Sequence, residues 1–178
     1  EGVDLSKLDA VVGANDGMLH AFTSGLYNAD NQSFQNVYNV DGYLSEIPEN
    51  IVGNVEIGSE MWAYIPQNVL PHLKWLASPA YDEQQHVDLV DLPPKVVDAR
   101  VFAADTKHPG GWGTVLIGGM NLGGGEIQAG GQTFKSTYFA IDITNPRDPE
   151  LMWELDPALF PHLGFTTNQP CVLSVGNK

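Results

Sequence analysis

Two stretches of this chain spell the same order of elements. LDAVVGA, MLHAF and EMWAYIP (residues 8–14, 18–22 and 60–66) are followed later by TVLIGGM, YFAIDI and LMWELD, with His20-Ala21-Phe22 matching Phe139-Ala140-Ile141 and Met61-Trp62 matching Met152-Trp153. A repeat of short apolar runs separated by Gly, Asp and Asn turn signals excludes a helical bundle and points to an all-β array. Without the long segment 23–59, which reads as an insertion in the first copy, each unit shrinks toward the ~40–50 residues of one four-stranded propeller blade.

The strand ledger follows from this register. Strands are expected near 8–14, 18–22 and 60–66, then near 95–103, 114–120, 137–143 and 150–155. PCVLSVG, near 169–175, reads as the start of a third blade. The expected fold class is thus all-β, a fragment of about two four-stranded antiparallel propeller blades in one partial domain spanning 1–178. Open sheet edges would favour self-association.

Asp16-Gly17 between two apolar runs predicts a tight I′ hairpin, since those residues tolerate positive φ. Residues 23–59 are polar and Asn-rich with no sustained period, which fits an elaborated loop with room for short β pairing. One helix is expected near 68–77, where Asn68 can cap, Pro71 falls in the first turn and Val69, Leu73 and Leu76 share a face.

Composition narrows the function. In 178 residues, 8 Lys+Arg face 22 Asp+Glu, a net charge of -14, and the basic residues are scattered singly. No stripe exists to neutralise successive phosphates, so nucleic acid is excluded as the natural partner. No run approaches the ~20 apolar residues of a membrane span. EGVDLSKLDA lacks a charged segment followed by an apolar one, so a signal was either removed or the piece derives from a longer precursor. Cys171 stands alone, which rules out an intrachain disulfide, and in PCVLSV it reads as a small buried hydrophobe.

Each stretch that invites a chemical reading has a plainer structural one. Asp16, Gly17 and His20 belong to a turn, with His20 packing where the second copy has Phe139. Trp62 and Trp153 read as core between neighbouring blades. GGMNLGGGEIQAGG lacks a GK[ST] ending and joins strand to strand, so it reads as a flexible hairpin and not a phosphate loop. DNQSFQNVYNVDG lacks the alternating carboxylates of a calcium loop. Histidines 20, 72, 86, 108 and 162 form neither HxH nor HExxH. Asp142, after a strand's apolar centre, reads as a turn anchor. No catalytic, cofactor-binding or metal-ligating residue is assigned, and the chain is expected not to be an enzyme.

Several segments together carry a family resemblance: Ala14-Asn15-Asp16-Gly17-Met18-Leu19-His20-Ala21-Phe22, Trp62-Ala63-Tyr64-Ile65-Pro66, Leu73-Lys74-Trp75-Leu76-Ala77, Thr114-Val115-Leu116 leading to Gly118-Gly119, and Ala140-Ile141-Asp142-Ile143-Thr144. In this order they resemble the C-terminal propeller of the PilC/PilY family, tip-associated adhesins and biogenesis factors of bacterial type IV pili. The resemblance implies an extracellular or cell-surface, outer-membrane or pilus-associated location. It implies pilus subunits or minor pilins as partners and attachment to a host or abiotic surface. It also implies calcium elsewhere in the complete protein, at no residue matched here. The chain departs from the pattern at Thr23–Ser59 and around Glu126–Ser136.

The same repeat is similar to that of pyrroloquinoline quinone dehydrogenases, which gives an enzyme alternative. Those enzymes resemble proteins with adjacent paired cysteines, which one Cys171 cannot supply. A purely structural propeller without ligand is the third reading.

Overall fold

The computed structural model describes residues 9–24, 26–28, 33–35, 57–82, 84 and 86–173. The chain divides into two compact units, residues 1–11 with 20–63, and residues 12–19 with 64–178. It is mostly β, with antiparallel pairing in the registered ladders and one short helix.

β1 (Asp9–Gly13), β2 (Leu19–Thr23) and β5 (Glu60–Tyr64) make a three-stranded sheet in the order β1-β2-β5. The central strand buries alternate residues, with Ala21 fully covered, as a strand packed on one face must. β3 (Leu26–Asn28) and β4 (Ser33–Gln35) form a separate hairpin inside the predicted insertion. Residues 25, 29–32 and 36–56 lie outside the described residues, and so does most of DNQSFQNVYNVDG.

The second unit is built on a four-stranded antiparallel meander. β6 (Leu92–Arg100), β7 (Trp112–Gly119), β10 (Tyr138–Asp142) and β11 (Glu150–Glu154) lie side by side in the order β11-β10-β7-β6. Between β7 and β10 the chain makes a second hairpin, β8 (Ile127–Ala129) with β9 (Gln132–Phe134). The two inner strands read as near-continuous apolar runs because both of their faces are covered: Val115, Leu116, Phe139, Ala140 and Ile141 are all buried. Each large side chain so buried contributes about 1.5–3 kcal/mol. The strand bounds differ from expectation by a few residues. β6 starts at Leu92, taking in Pro93 and Pro94 where the register shifts against β7, because an edge strand tolerates proline at a bulge.

Four expectations require correction. The turn at Asn15-Asp16-Gly17 is not of the I′ kind: Gly17 N–H bonds to Ala14 O at 3.2 Å, and of these three residues only Gly17 has positive φ, at 90°. It is the three-residue loop that ends in a left-handed glycine, with Asp16 Oδ1 accepting from Met18 N–H at 3.0 Å. The same position leaves little room for a side chain: a Cβ on Gly17 would stand 2.8 Å from Val69 Cγ1 and 3.1 Å from Leu89 Cδ1.

The helix is a 3-10 segment, Gln67–His72, followed by a single α-turn, α1 (Leu73–Leu76). Pro66 occupies the N-cap position with no side-chain cap bond, and Asn68 is used elsewhere. Val69 is fully buried, whereas Leu73 and Leu76 are half-covered. Pro71 inside the segment withholds an N–H and prevents a longer α-helix.

The run 169–173 is not a strand, and residues 174–175 lie outside the described residues. Apolar character alone makes no strand without a ladder partner. Cys171 is consequently exposed instead of buried.

The glycine run after β7 is not all hairpin: it is partly buried as far as Gly124. Met120 is fully buried with its N–H on Thr166 Oγ1 at 2.9 Å, and Gly123 and Gly124 are buried too. Only its second half is hairpin.

Candidate functional site

Glu154 closes β11 and collects four donors. Its Oε2 accepts from Tyr64 Oη at 3.0 Å and Gln67 N–H at 2.9 Å; its Oε1 accepts from Asn68 N–H at 3.0 Å and Asn68 Nδ2 at 2.7 Å. The carboxylate thereby satisfies main-chain donors at the start of the 3-10 segment that no N-cap side chain reaches. Asn68 passes the connection on, since its Oδ1 accepts from Lys135 N–H at 3.2 Å. Tyr64 packs on Phe139, ring centroids 5.0 Å apart. Burial, then the charge of Glu154 and its hydrogen bond, push the Tyr64 phenol far above its ordinary value, so it remains a donor throughout the physiological range.

Beside this hub lies a cleft of about 700 Å³. One wall is Gly131–Lys135, another is Glu154–Ala158 with Pro161, and Gln67, Asn68 and Glu126 complete it. The charged side chains among these are Glu126, Glu154, Asp156 and Lys135. Lys135 Nζ donates to Pro161 O at 2.6 Å.

A second polar cluster sits between β6 and β7. His108 is buried, stacked on Phe102 at 4.0 Å between centroids and 13° between planes. Its Nε2 faces Asp142 Oδ2 at 2.9 Å and its Nδ1 faces Asp105 Oδ1 at 3.1 Å. A carboxylate at each nitrogen favours the protonated ring, the form in which both nitrogens donate. Lys107 Nζ bridges Asp142 Oδ2 at 2.8 Å and Glu150 Oε1 at 3.0 Å. Asp142 Oδ1 accepts from Thr144 N–H and Oγ1, at 2.9 and 2.6 Å. Burial opposes ionisation of Asp142, but the bonds from Lys107, Thr144 and His108 win and hold it at about 2. For His108 burial likewise disfavours charge, and the bonds to Asp142 and Asp105 outweigh it, so its pKa is raised. Asp142 is thus the turn anchor expected, with a cationic pair added. Sequence reasoning missed that pair; its trace was Asp105 three residues before His108, the spacing of a local side-chain-to-backbone turn.

The remaining histidines are dispersed. His20 Nδ1 lies 2.9 Å from Glu60 Oε1 and its ring stacks near Phe22 at 6.1 Å. His86 pairs with Asp88 at 3.3 Å. His72 is buried with Nε2 lacking a hydrogen-bond partner. Among the described residues no group of three or more His, Cys, Asp or Glu is placed to hold a metal ion. Trp62 and Trp153 each lie on the outer strand next to the Ala-bearing one, Trp153 directly opposite Ala140. Trp153 is 41% exposed, however, and is not core within this chain, because an edge strand has a neighbour on one side only.

Meander, hairpins and polar hubs define an antiparallel β scaffold that carries surface loops and clefts. No family model matches the chain. It is 31% identical over 161 residues to the type IV pilus biogenesis factor PilY1 of Pseudomonas aeruginosa (strain UCBPP-PA14), covering 90% of this chain and 10% of that protein. It is 27% identical over 169 residues to a PilY1 homolog of Xylella fastidiosa (strain Temecula1 / ATCC 700964), covering 93% and 8%. The crystal structure of the Pseudomonas aeruginosa PilY1 C-terminal domain superposes with a TM-score of 0.48 at 29% identity, over 92% of this chain and 22% of that one. The PilC/PilY resemblance stands: over most of its length the chain is homologous to the type IV pilus biogenesis factors named PilY1. It spans about a tenth of the curated relatives it matches. The dehydrogenase alternative finds no support in these relatives.

Proposed function

We propose that this chain serves as part of a type IV pilus biogenesis factor, at the cell surface or pilus, as a non-enzymatic propeller segment that contributes to pilus assembly and surface attachment. The observation that carries the reading is the homology to PilY1 proteins over 90% or more of the chain. The four-stranded meander β6-β7-β10-β11 supports the propeller, since it has the strand order of one blade. The part played by the chain is mechanical and recognitive: a rigid sheet positions loops and clefts against pilus subunits or minor pilins.

The test is an in-frame deletion of this segment in the organism that encodes it, with surface pili counted by electron microscopy and attachment measured on abiotic surfaces. Loss of pili and attachment, restored by the intact gene, is expected. Normal piliation and attachment without the segment would overturn the proposal.

A further inference from the structure

The β8–β9 hairpin leaves one strand edge open, and its phase can be read from two directions. Gly130 and Gly131 both have positive φ, 58° and 79°, so the strands are joined by a two-residue turn of the I′ kind. Such a turn makes Ala129 and Gln132 a hydrogen-bonded pair, and alternation then points the main-chain N–H and C=O of Thr133 away from β8. Two residues on, Lys135 agrees: its N–H points outward to Asn68 Oδ1 at 3.2 Å. The Thr133 hydroxyl is engaged by Gln128 Nε2 at 2.8 Å, while its main-chain groups have no protein partner among the described residues.

This edge runs along the cleft. Residues 131 to 135 line it consecutively. A strand that faced the cleft would contribute every second side chain, so the edge of β9 and not its face is presented. The charge of the opening is also specific. Glu126, Glu154 and Asp156 stand against Lys135, whose Nζ is bound by Pro161 O. Glu154 is held through the neutral donors of Tyr64, Gln67 and Asn68, with no cationic side chain among them. Open main-chain groups supply affinity for an extended segment, and the carboxylates select its side chains.

We propose that the cleft receives an extended, basic segment of another protein by strand addition along Gln132–Phe134, with a Lys or Arg of that segment against Glu126 and Asp156. The identity of the partner as a pilus component rests on the function proposed above; the binding itself does not.

The experiment titrates the full chain against a fluorescein-labelled, acetylated peptide of alternating Lys and Thr, eight residues long, followed by anisotropy. Saturable binding is expected. A Glu-Thr peptide, and a Lys-Thr peptide with the amides of one edge N-methylated, should each bind about tenfold more weakly, the loss of roughly one charged or main-chain contact. Thr133→Pro removes the outward N–H and spares the β8 pairing, and it should weaken binding by a similar factor. Glu126→Gln with Asp156→Asn should weaken it about fivefold. Absence of saturable binding overturns the proposal, as does equal binding of the N-methylated peptide, which would reveal charge attraction without strand addition. Should Thr133→Pro fail to fold, the N-methylated peptide decides the matter with the native chain. If the peptide fails to bind while deletion of the segment abolishes piliation, the cleft proposal falls and the pilus function stands.

Discussion

His108 Nε2 lies 2.9 Å from Asp142 Oδ2 while the opposite ring nitrogen lies 3.1 Å from Asp105 Oδ1. One imidazole ring thus fastens the β6–β7 connection to the end of β10. Lys107, reaching both Asp142 and Glu150, adds a cation, and Phe102 covers the ring. The pKa of His108 is raised, so its stabilising contribution is complete below its unfolded value of about 6.5 and disappears as pH rises through the higher folded value. His108→Gln should lower the melting temperature most near pH 5.5, with the gap to the native chain closing in alkaline buffer. A gap independent of pH would show that the ring acts by packing alone.

Asp142→Asn leaves Lys107 and His108 facing an amide in a buried place and should cost about 3 kcal/mol in urea unfolding. Because Asp142 is held at about 2, against an ordinary 3.8, the carboxylate's contribution is present above pH 4. It is lost as pH falls from about 4 toward 2, so the native chain and the Asp142→Asn variant should converge in acid.

His72 has the opposite sign. Burial, reinforced by the nearby charge of Lys74, lowers its pKa despite a backbone bond at Gly125, and its Nε2 is unpartnered. A buried neutral ring must be charged as pH drops below about 6.5, and stability is lost there. His72→Phe should flatten the decline in stability between pH 6.5 and 5, as read from chemical denaturation at each pH. An unchanged slope would assign the decline to other groups.

Glu154→Gln turns an amide N–H₂ toward donors that previously met a carboxylate oxygen. A loss of about 2 kcal/mol is expected, and about 1 kcal/mol for Tyr64→Phe. Since both changes perturb the group in which Tyr64 Oη donates to Glu154 Oε2, the double variant should fall short of the sum of the two. Strict additivity would argue that the bond contributes nothing.

Gly118 lies directly across from Phe139 in the β7–β10 ladder, and a Cβ there would stand 2.3 Å from the ring's Cζ. Gly118→Ala should cost about 2 kcal/mol through displacement of a fully buried ring. Combining it with Phe139→Leu, which vacates that space, should cost less than the two changes added together, by calorimetry.

The inner strands were readable because VLIGG and YFAID bury both faces, and burial on both faces writes itself as unbroken apolar sequence. The turn at Asp16-Gly17 was readable as a reversal, since few residues accept positive φ. The order of elements in the two repeats followed from Ala21 and Ala140, each on the strand beside a tryptophan-bearing one. These features depend on each residue and its near neighbours in the chain, so local chemistry determined them.

Tertiary structure decided what distant partners control. Asn68 had the character of a helix cap, yet Glu154, 86 positions away, takes its amide and leaves the cap to Pro66. That no side chain fits at Gly17 is decided by Val69 and Leu89, which come close to it only in the fold. PCVLSV carries strand propensity, but a strand exists only when another supplies hydrogen bonds, and among the described residues none reaches Cys171. The charge on His108 and the open edge at Thr133 belong to the same category. Both depend on which carboxylate or strand folding brings within about 3 Å, and hydrogen-bond and ionic energies fall away over distances that sequence spacing does not encode.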